Sequence, residues 1–286
     1  MRALAAPFEG TANWIYIAII LAVLWYGFLI IYLSAFNIWS QLPWVLDDPA
    51  LIDRFVYGDT PAAVRWNLAA FALYSALLAV MLRALHKMRL TDLIGPFHLA
   101  LAQFGRVSLY LIPLILFLTV PALFAPEALQ QHEFARWLSL LPATLILLFV
   151  QVSAEELVFR GYLQGHLAAL SKSPIIWIGL PSILFGLIHY DPSSPPYSAW
   201  AYVVWAACLG LVCSDLTARS GTLGPALAVH FVNNIGALLI LAADDWLYGA
   251  ALFVWPTNGQ PWEPWFPYEA LMLFTVWLAA RVALRR

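Results

Sequence analysis

The sequence predicts an all-α, polytopic membrane protein with about eight transmembrane helices, and three observations carry that reading. First, 63% of the 286 residues are hydrophobic and only 10% are charged, with a mean hydropathy of +0.80. A soluble domain carries roughly 25% charged residues, and no single core could hide this excess, so much of the chain has lipid as its natural solvent. Second, the apolar runs are long and continuous instead of alternating with period two, which selects helices over a membrane barrel. Third, 14 Trp and 12 Tyr suit aromatic belts at two membrane interfaces. The same composition excludes a soluble enzyme, a nucleic-acid binder and a disordered tail, and a net charge of −2 offers no basic patch for phosphate backbones. Cys208 and Cys213 both lie in an apolar run, so no disulfide framework is implied.

Spans of about 20 apolar residues can be placed in order. The first runs from Trp14 to Phe36, the second from Trp66 to Leu82 and the third from Val107 to Phe124. A long fourth segment starts near Trp137, a fifth covers Ile175 to Tyr190, a sixth Ala199 to Leu216 and a seventh Leu223 to Ala242. The last, Tyr268 to Leu284, follows an ambiguous apolar stretch from Trp246 to Trp255. The first span is too long and too aromatic for a secretory signal and is expected to remain. No internal repeat or linker divides the chain. Three regions are expected: N-terminal helices over 1–136, a core over 137–242, and an aromatic segment with the last helix over 243–286.

Loop charges orient the bundle. With the amino terminus in the cytoplasm, Arg2, Arg83, Lys87, Arg89, Arg106, Arg160, Lys172, Arg219, Arg281, Arg285 and Arg286 fall inside, against Arg54, Arg65 and Arg136 outside. That positive-inside bias predicts both termini in the cytoplasm. The segment Trp262 to Phe266 is placed at the outer interface, as an anchor or a substrate lip.

An ionisable group at membrane depth costs at least about 2.5 kcal/mol and marks function by default. Three constellations stand out. Glu155 and Glu156 continue an apolar run and point about 100° apart on a helix, so they cannot do the same job. Glu156 and Arg160 are i,i+4 neighbours that can pair, which frees Glu155 to face a cavity as a general base. A purely structural pair would need one glutamate, and this helix has two. The second constellation is His189, four residues after Phe185. A lone histidine in an apolar helix is usually a packing residue, yet Glu155 and His189 are equally far from the turn at Ser171 to Pro174. Antiparallel helices would bring them to one depth. The third is His230 with Asn234, again i,i+4, offering an imidazole and a carboxamide, although interhelical hydrogen bonding is the bland alternative. Gly224, Pro225 and Gly236 are expected to loosen packing around this helix.

The pattern Glu155-Glu156-x-x-x-Arg160, Phe185-x-x-x-His189 and His230-x-x-x-Asn234 resembles that of the CPBP family of intramembrane proteases. That family comprises the type II CAAX prenyl endopeptidases and the bacteriocin-processing and Abi-like proteins. The resemblance covers roughly Trp137 to Ala242. It implies an eight-helix bundle around a water-accessible catalytic chamber. It also implies an intramembrane endopeptidase in which Glu155 and His189 activate a water. His230 and Asn234 then stabilise the oxyanion, with Glu156 and Arg160 in support. No metal is implied, although the family was long labelled metalloprotease. Zinc on Glu155, His189 and His230 stays as the close alternative, with H-E-x-x-H absent. A transporter would show inverted repeats, which are not seen, and a scaffold has no need of buried ionisable groups. The implied partners are a membrane-anchored or lipidated protein or peptide and the lipid bilayer, with no nucleic acid. The implied location is a bacterial plasma (inner) membrane.

Overall fold

The computed structural model describes residues 2–257 and 266–285. Apolar helices stand at each of the eight expected places: α1 (Trp14–Ser40), α2 (Pro61–Leu85), α3 (Phe97–Phe124), α4 (Phe134–Leu170), α5 (Ile175–Leu187), α6 (Pro196–Ser220), α7 (Gly224–Ile240) and α8 (Phe266–Ala283). Six are long and apolar enough to cross a membrane, while α5 and α7 are shorter, so length alone supports six spans. The sidedness of burial agrees with a lipid solvent. Ile175, Phe117 and Leu109 are 81%, 75% and 71% exposed, whereas Glu156 and Arg160 are fully buried. That is the reverse of a soluble surface. The protein is a multi-pass membrane protein.

Local chemistry sets the ends of these helices. Asn13 caps α1 by accepting from the Ile15 N–H at 2.7 Å, and Thr60 caps α2 by accepting from Ala63, with Pro61 in the first turn. Such caps satisfy N–H groups that have no partner inside the helix. Gly221 ends α6 in the left-handed conformation, φ +75°, which glycine adopts without a Cβ penalty. The chain then re-enters a helix almost at once through Gly224 and Pro225. Four helices also carry π-helical turns, at Val23–Gly27, Leu157–Leu163, Ile175–Gly179 and Gly236–Ile240.

Helix α7 lies at the centre, packed against α3, α4 and α6, while α5 packs along α6. The glycines tighten this arrangement instead of loosening it, contrary to the sequence expectation. A Cβ on Gly224 would collide with the Ala100 carbonyl of α3, and one on Gly236 would stand 3.1 Å from Ile115. A Cβ on Gly186 would come within 2.5 Å of the Val203 carbonyl. Small residues let helix backbones approach closely in lipid, where packing replaces the hydrophobic drive.

Two features depart from the sequence reading. A three-stranded sheet of order β1-β3-β2 joins β1 (Leu129–Gln130), β2 (Leu241–Ala243) and β3 (Phe253–Trp255). β3 is antiparallel to β1 and parallel to β2. The ambiguous stretch from Trp246 to Trp255 is therefore turn and strand, held to the end of the short helix Ala50–Tyr57 and its Gly58 cap by Leu247 N–H to Tyr57 O at 2.7 Å and Gly249 N–H to Gly58 O at 2.8 Å. Of the aromatic segment placed at an outer interface, residues 262–265 lie outside the described residues.

The second departure is a strap ahead of α1. Leu4 and Phe8 are buried. The Phe8 ring stacks on His166 at 4.9 Å and meets the edge of His86 at 5.5 Å. Two imidazoles fasten the strap, His166 Nε2 accepting from the Asn13 N–H at 2.7 Å and His86 Nδ1 lying 3.0 Å from Thr11 Oγ1. The rings facing His86 are Phe8, Tyr16, Tyr162 and His166. Burial holds the His86 imidazole below its ordinary range, so the docked strap binds fewer protons than the released one. The contribution of His86 to docking is fully present above about pH 6.5 and weakens as pH falls below that value. Limited proteolysis of the N-terminal segment should accelerate between about pH 6.5 and 5, and His86→Asn should flatten that dependence.

Candidate active site

The three motifs come together on α4, on the end of α5 and on α7. Glu155 and Glu156 close the α-helical part of α4, and the π turn that follows carries Arg160. His230 and Asn234 lie one turn apart on α7. His189 sits two residues past α5, its N–H bonded to the Gly186 carbonyl at 2.9 Å. The fifth segment is thus shorter at this end than its apolar run suggests.

At the centre, Glu156 Oε1 accepts from Arg160 Nη1 at 3.0 Å and from His230 Nδ1 at 2.8 Å. The Glu156–Arg160 pair is fully buried, which confirms the i,i+4 pairing read from sequence. A carboxylate can only accept, so the His230 proton at this contact is on Nδ1. The opposite nitrogen, Nε2, then stands 3.5 Å from Glu155 Oε2, an oxygen without a hydrogen bond. The imidazole thus lies between the two glutamates, hydrogen-bonded to Glu156 and 3.5 Å from Glu155 Oε2. Arg160 Nε and Nη2 make no hydrogen bond. Its guanidinium instead lies over the Phe185 ring, 4.3 Å from the centroid, a cation–π contact that suits a buried charge.

Phe185 links the two histidines. Its ring lies 4.7 Å from His189 and 5.7 Å, edge-on, from His230. His189 Nδ1 donates to the Phe185 carbonyl at 2.7 Å, which leaves Nε2 with a free lone pair. No hydrogen bond joins His189 to Glu155 among the described residues. Asn234 does not touch the glutamate cluster either. Its Nδ2 donates to Gln151 Oε1 at 3.3 Å, and its Oδ1 accepts from Asn233 Nδ2 at 3.2 Å. Gln151 and Glu155 are four apart on α4, and Asn234 and His230 four apart on α7. The helices run oppositely, so Gln151–Asn234 and Glu155–His230 form successive rungs across one interface. The sequence reading missed Gln151, although an amide one turn before a glutamate in an apolar run was the available signal.

This arrangement offers a carboxylate beside an imidazole, a second imidazole with an open lone pair, and an amide with an N–H to spare. Those are the parts of a general-base hydrolytic site. Among the described residues no group of three or more His, Cys, Asp or Glu gathers as a metal-binding set.

Comparison with known proteins places the motifs in a class. Residues 137–236 match the family described as type II CAAX prenyl endopeptidase Rce1-like. The matched segment bears all three motifs, on the residues where the CPBP resemblance was read. The chain is also 30% identical over 178 residues to the uncharacterized protein YyaK of Bacillus subtilis (strain 168). That similarity spans 60% of this chain and 58% of the relative's length. No solved structure matches the chain.

Proposed function

We propose that the protein is an intramembrane endopeptidase hydrolysing a peptide bond near the membrane-associated end of a protein or peptide. The observation that carries this reading is the buried Glu155–His230–Glu156–Arg160 cluster inside an Rce1-like segment. Glu155, with His189 accepting a further hydrogen bond through Nε2, takes a proton from a water. The resulting hydroxide adds to the substrate carbonyl. His230 and Asn234 donate to the oxyanion as it forms, and the proton held by Glu155 passes to the amide nitrogen as the C–N bond breaks. Glu156 and Arg160 hold His230 through Nδ1–H, so that the ring, carrying a second proton on Nε2 as the imidazolium, aims that N–H at the oxyanion. The scheme is metal-free, as the family resemblance implies; both histidines keep Nε2 open, so the zinc-dependent alternative is decided by chelation.

The substrate class is a membrane-anchored or lipidated polypeptide, as the match to the CAAX prenyl endopeptidase family suggests. Loop charges favour both termini in the cytoplasm, and the similarity to a Bacillus subtilis protein favours a bacterial plasma membrane as the setting. Chelator-washed protein in proteoliposomes, given a carboxy-terminal peptide with and without a lipid anchor, tests the reading. Cleavage of the anchored peptide, unaffected by chelation, is the expected result. Flux of solute or protons without peptide hydrolysis would replace the protease with a transporter. Activity that needs stoichiometric zinc would restore the metal-dependent alternative.

A further inference from the structure

Gln151 is an anomaly in its surroundings. It is 8% exposed, it lies within the apolar run of α4, and an uncompensated amide at that depth is costly. None of the three motifs contains it. Its one hydrogen bond is the acceptance from Asn234 Nδ2, and Asn233 Nδ2 reaches the other end of the same carboxamide.

Resting on the protease reading above, we propose that Gln151 is a positioning residue that, with Asn233, clamps the Asn234 carboxamide so that its second N–H faces the oxyanion. The chemistry follows from valence. An asparagine side chain has two N–H donors on nitrogen and two lone pairs on oxygen, and its ends can interchange by a half-turn. In the orientation that the three amides share, Asn233 Nδ2 donates to the oxygen end and Gln151 Oε1 accepts from the nitrogen end. The two contacts agree on one orientation and occupy one of the two N–H groups. The other stays available for charge that develops only in the transition state, where preorganised donors act with little reorganisation. The rung geometry places this amide one turn along α7 from His230, the other proposed donor. The α4–α7 interface thus aligns both donors, with α4 supplying each one's anchor: Glu156 for the imidazole and Gln151 for the amide.

The test is a double-mutant cycle on the full-length protein in proteoliposomes, with kcat and KM measured separately. Gln151→Met keeps the chain length and removes the acceptor oxygen. It should lower kcat by about 10- to 100-fold, the scale of a displaced catalytic group, with KM unchanged. In an Asn234→Ala background, itself slower by about 100-fold or more, Gln151→Met should cost nothing further. An equal loss in both backgrounds, or a change confined to KM, overturns the clamp. Asn233→Ala serves if Gln151→Met does not fold, and full kcat in that variant also overturns it. Full activity in Asn234→Ala would instead defeat the oxyanion role itself, whereas an impaired Asn234→Ala beside a normal Gln151→Met defeats the clamp alone.

Discussion

Glu155→Gln is expected to abolish peptide hydrolysis while leaving the folded protein unharmed. The substitution is nearly isosteric and keeps a polar group 3.5 Å from His230 Nε2, but an amide cannot take a proton from water. General-base catalysis contributes about 10²- to 10⁴-fold, so a fall in kcat of that size is the expectation. Stability should not follow. Glu155 Oε2 makes no hydrogen bond in the resting site, so neutralising it unpins nothing. Single-turnover cleavage beside a thermal melt in detergent reads both quantities. Hydrolysis retained in this variant removes Glu155 from the role of base. In the native host, the membrane polypeptides that accumulate uncleaved in the same variant identify the substrate.

Arg160→Met should behave in the opposite way, losing stability and activity together. Glu156 and Arg160 are both fully buried, and removing one partner of such a pair costs about 3–5 kcal/mol because the remaining charge stays in a poor solvent. The Phe185 face beneath the guanidinium loses its cation as well. The double variant Glu156→Gln with Arg160→Met removes both charges and should recover most of that stability, since a buried pair replaced by neutral groups is often close to neutral in cost. Turnover should stay low in the double variant. Glutamine no longer presents a carboxylate to His230 Nδ1, so the ring loses the charged partner that holds it through Nδ1–H. Chemical unfolding compared with kcat across the three variants separates the two effects. A fully active double variant would reduce Glu156 and Arg160 to packing.

The sequence was most legible where an interaction lies along one helix. Glu156 and Arg160 could be paired from their spacing alone, and the structure pairs them. Contacts between helices were legible only as a set of residues that ought to meet. That His230 would lie between two glutamates depends on how α4 and α7 face each other, and no local spacing encodes that. Gln151 went unread because a single amide in an apolar run has no partner visible in sequence. Counting from the Ser171 turn set His189 level with Glu155, yet it follows the end of α5 and makes its hydrogen bond to the Phe185 backbone. The sheet was missed for a different reason: strands of two and three residues are too short to show a period. Gly224 was misread because a glycine in a membrane helix signals either a loose joint or a close backbone contact, and only the neighbouring helix decides.

The π turns bear on how this chain can be re-engineered. Those at Leu157–Leu163 and Gly236–Ile240 each hold extra backbone within a turn. Residues on either side of a wide turn are therefore out of step with simple α-helical counting. A chimaera that exchanges half of α4 with a relative should be spliced upstream of Leu157 or downstream of Leu163. A junction that dropped one residue in between would swing the following surface by about 100°, carrying Tyr162 and His166 away from the strap while the glutamates kept their aim.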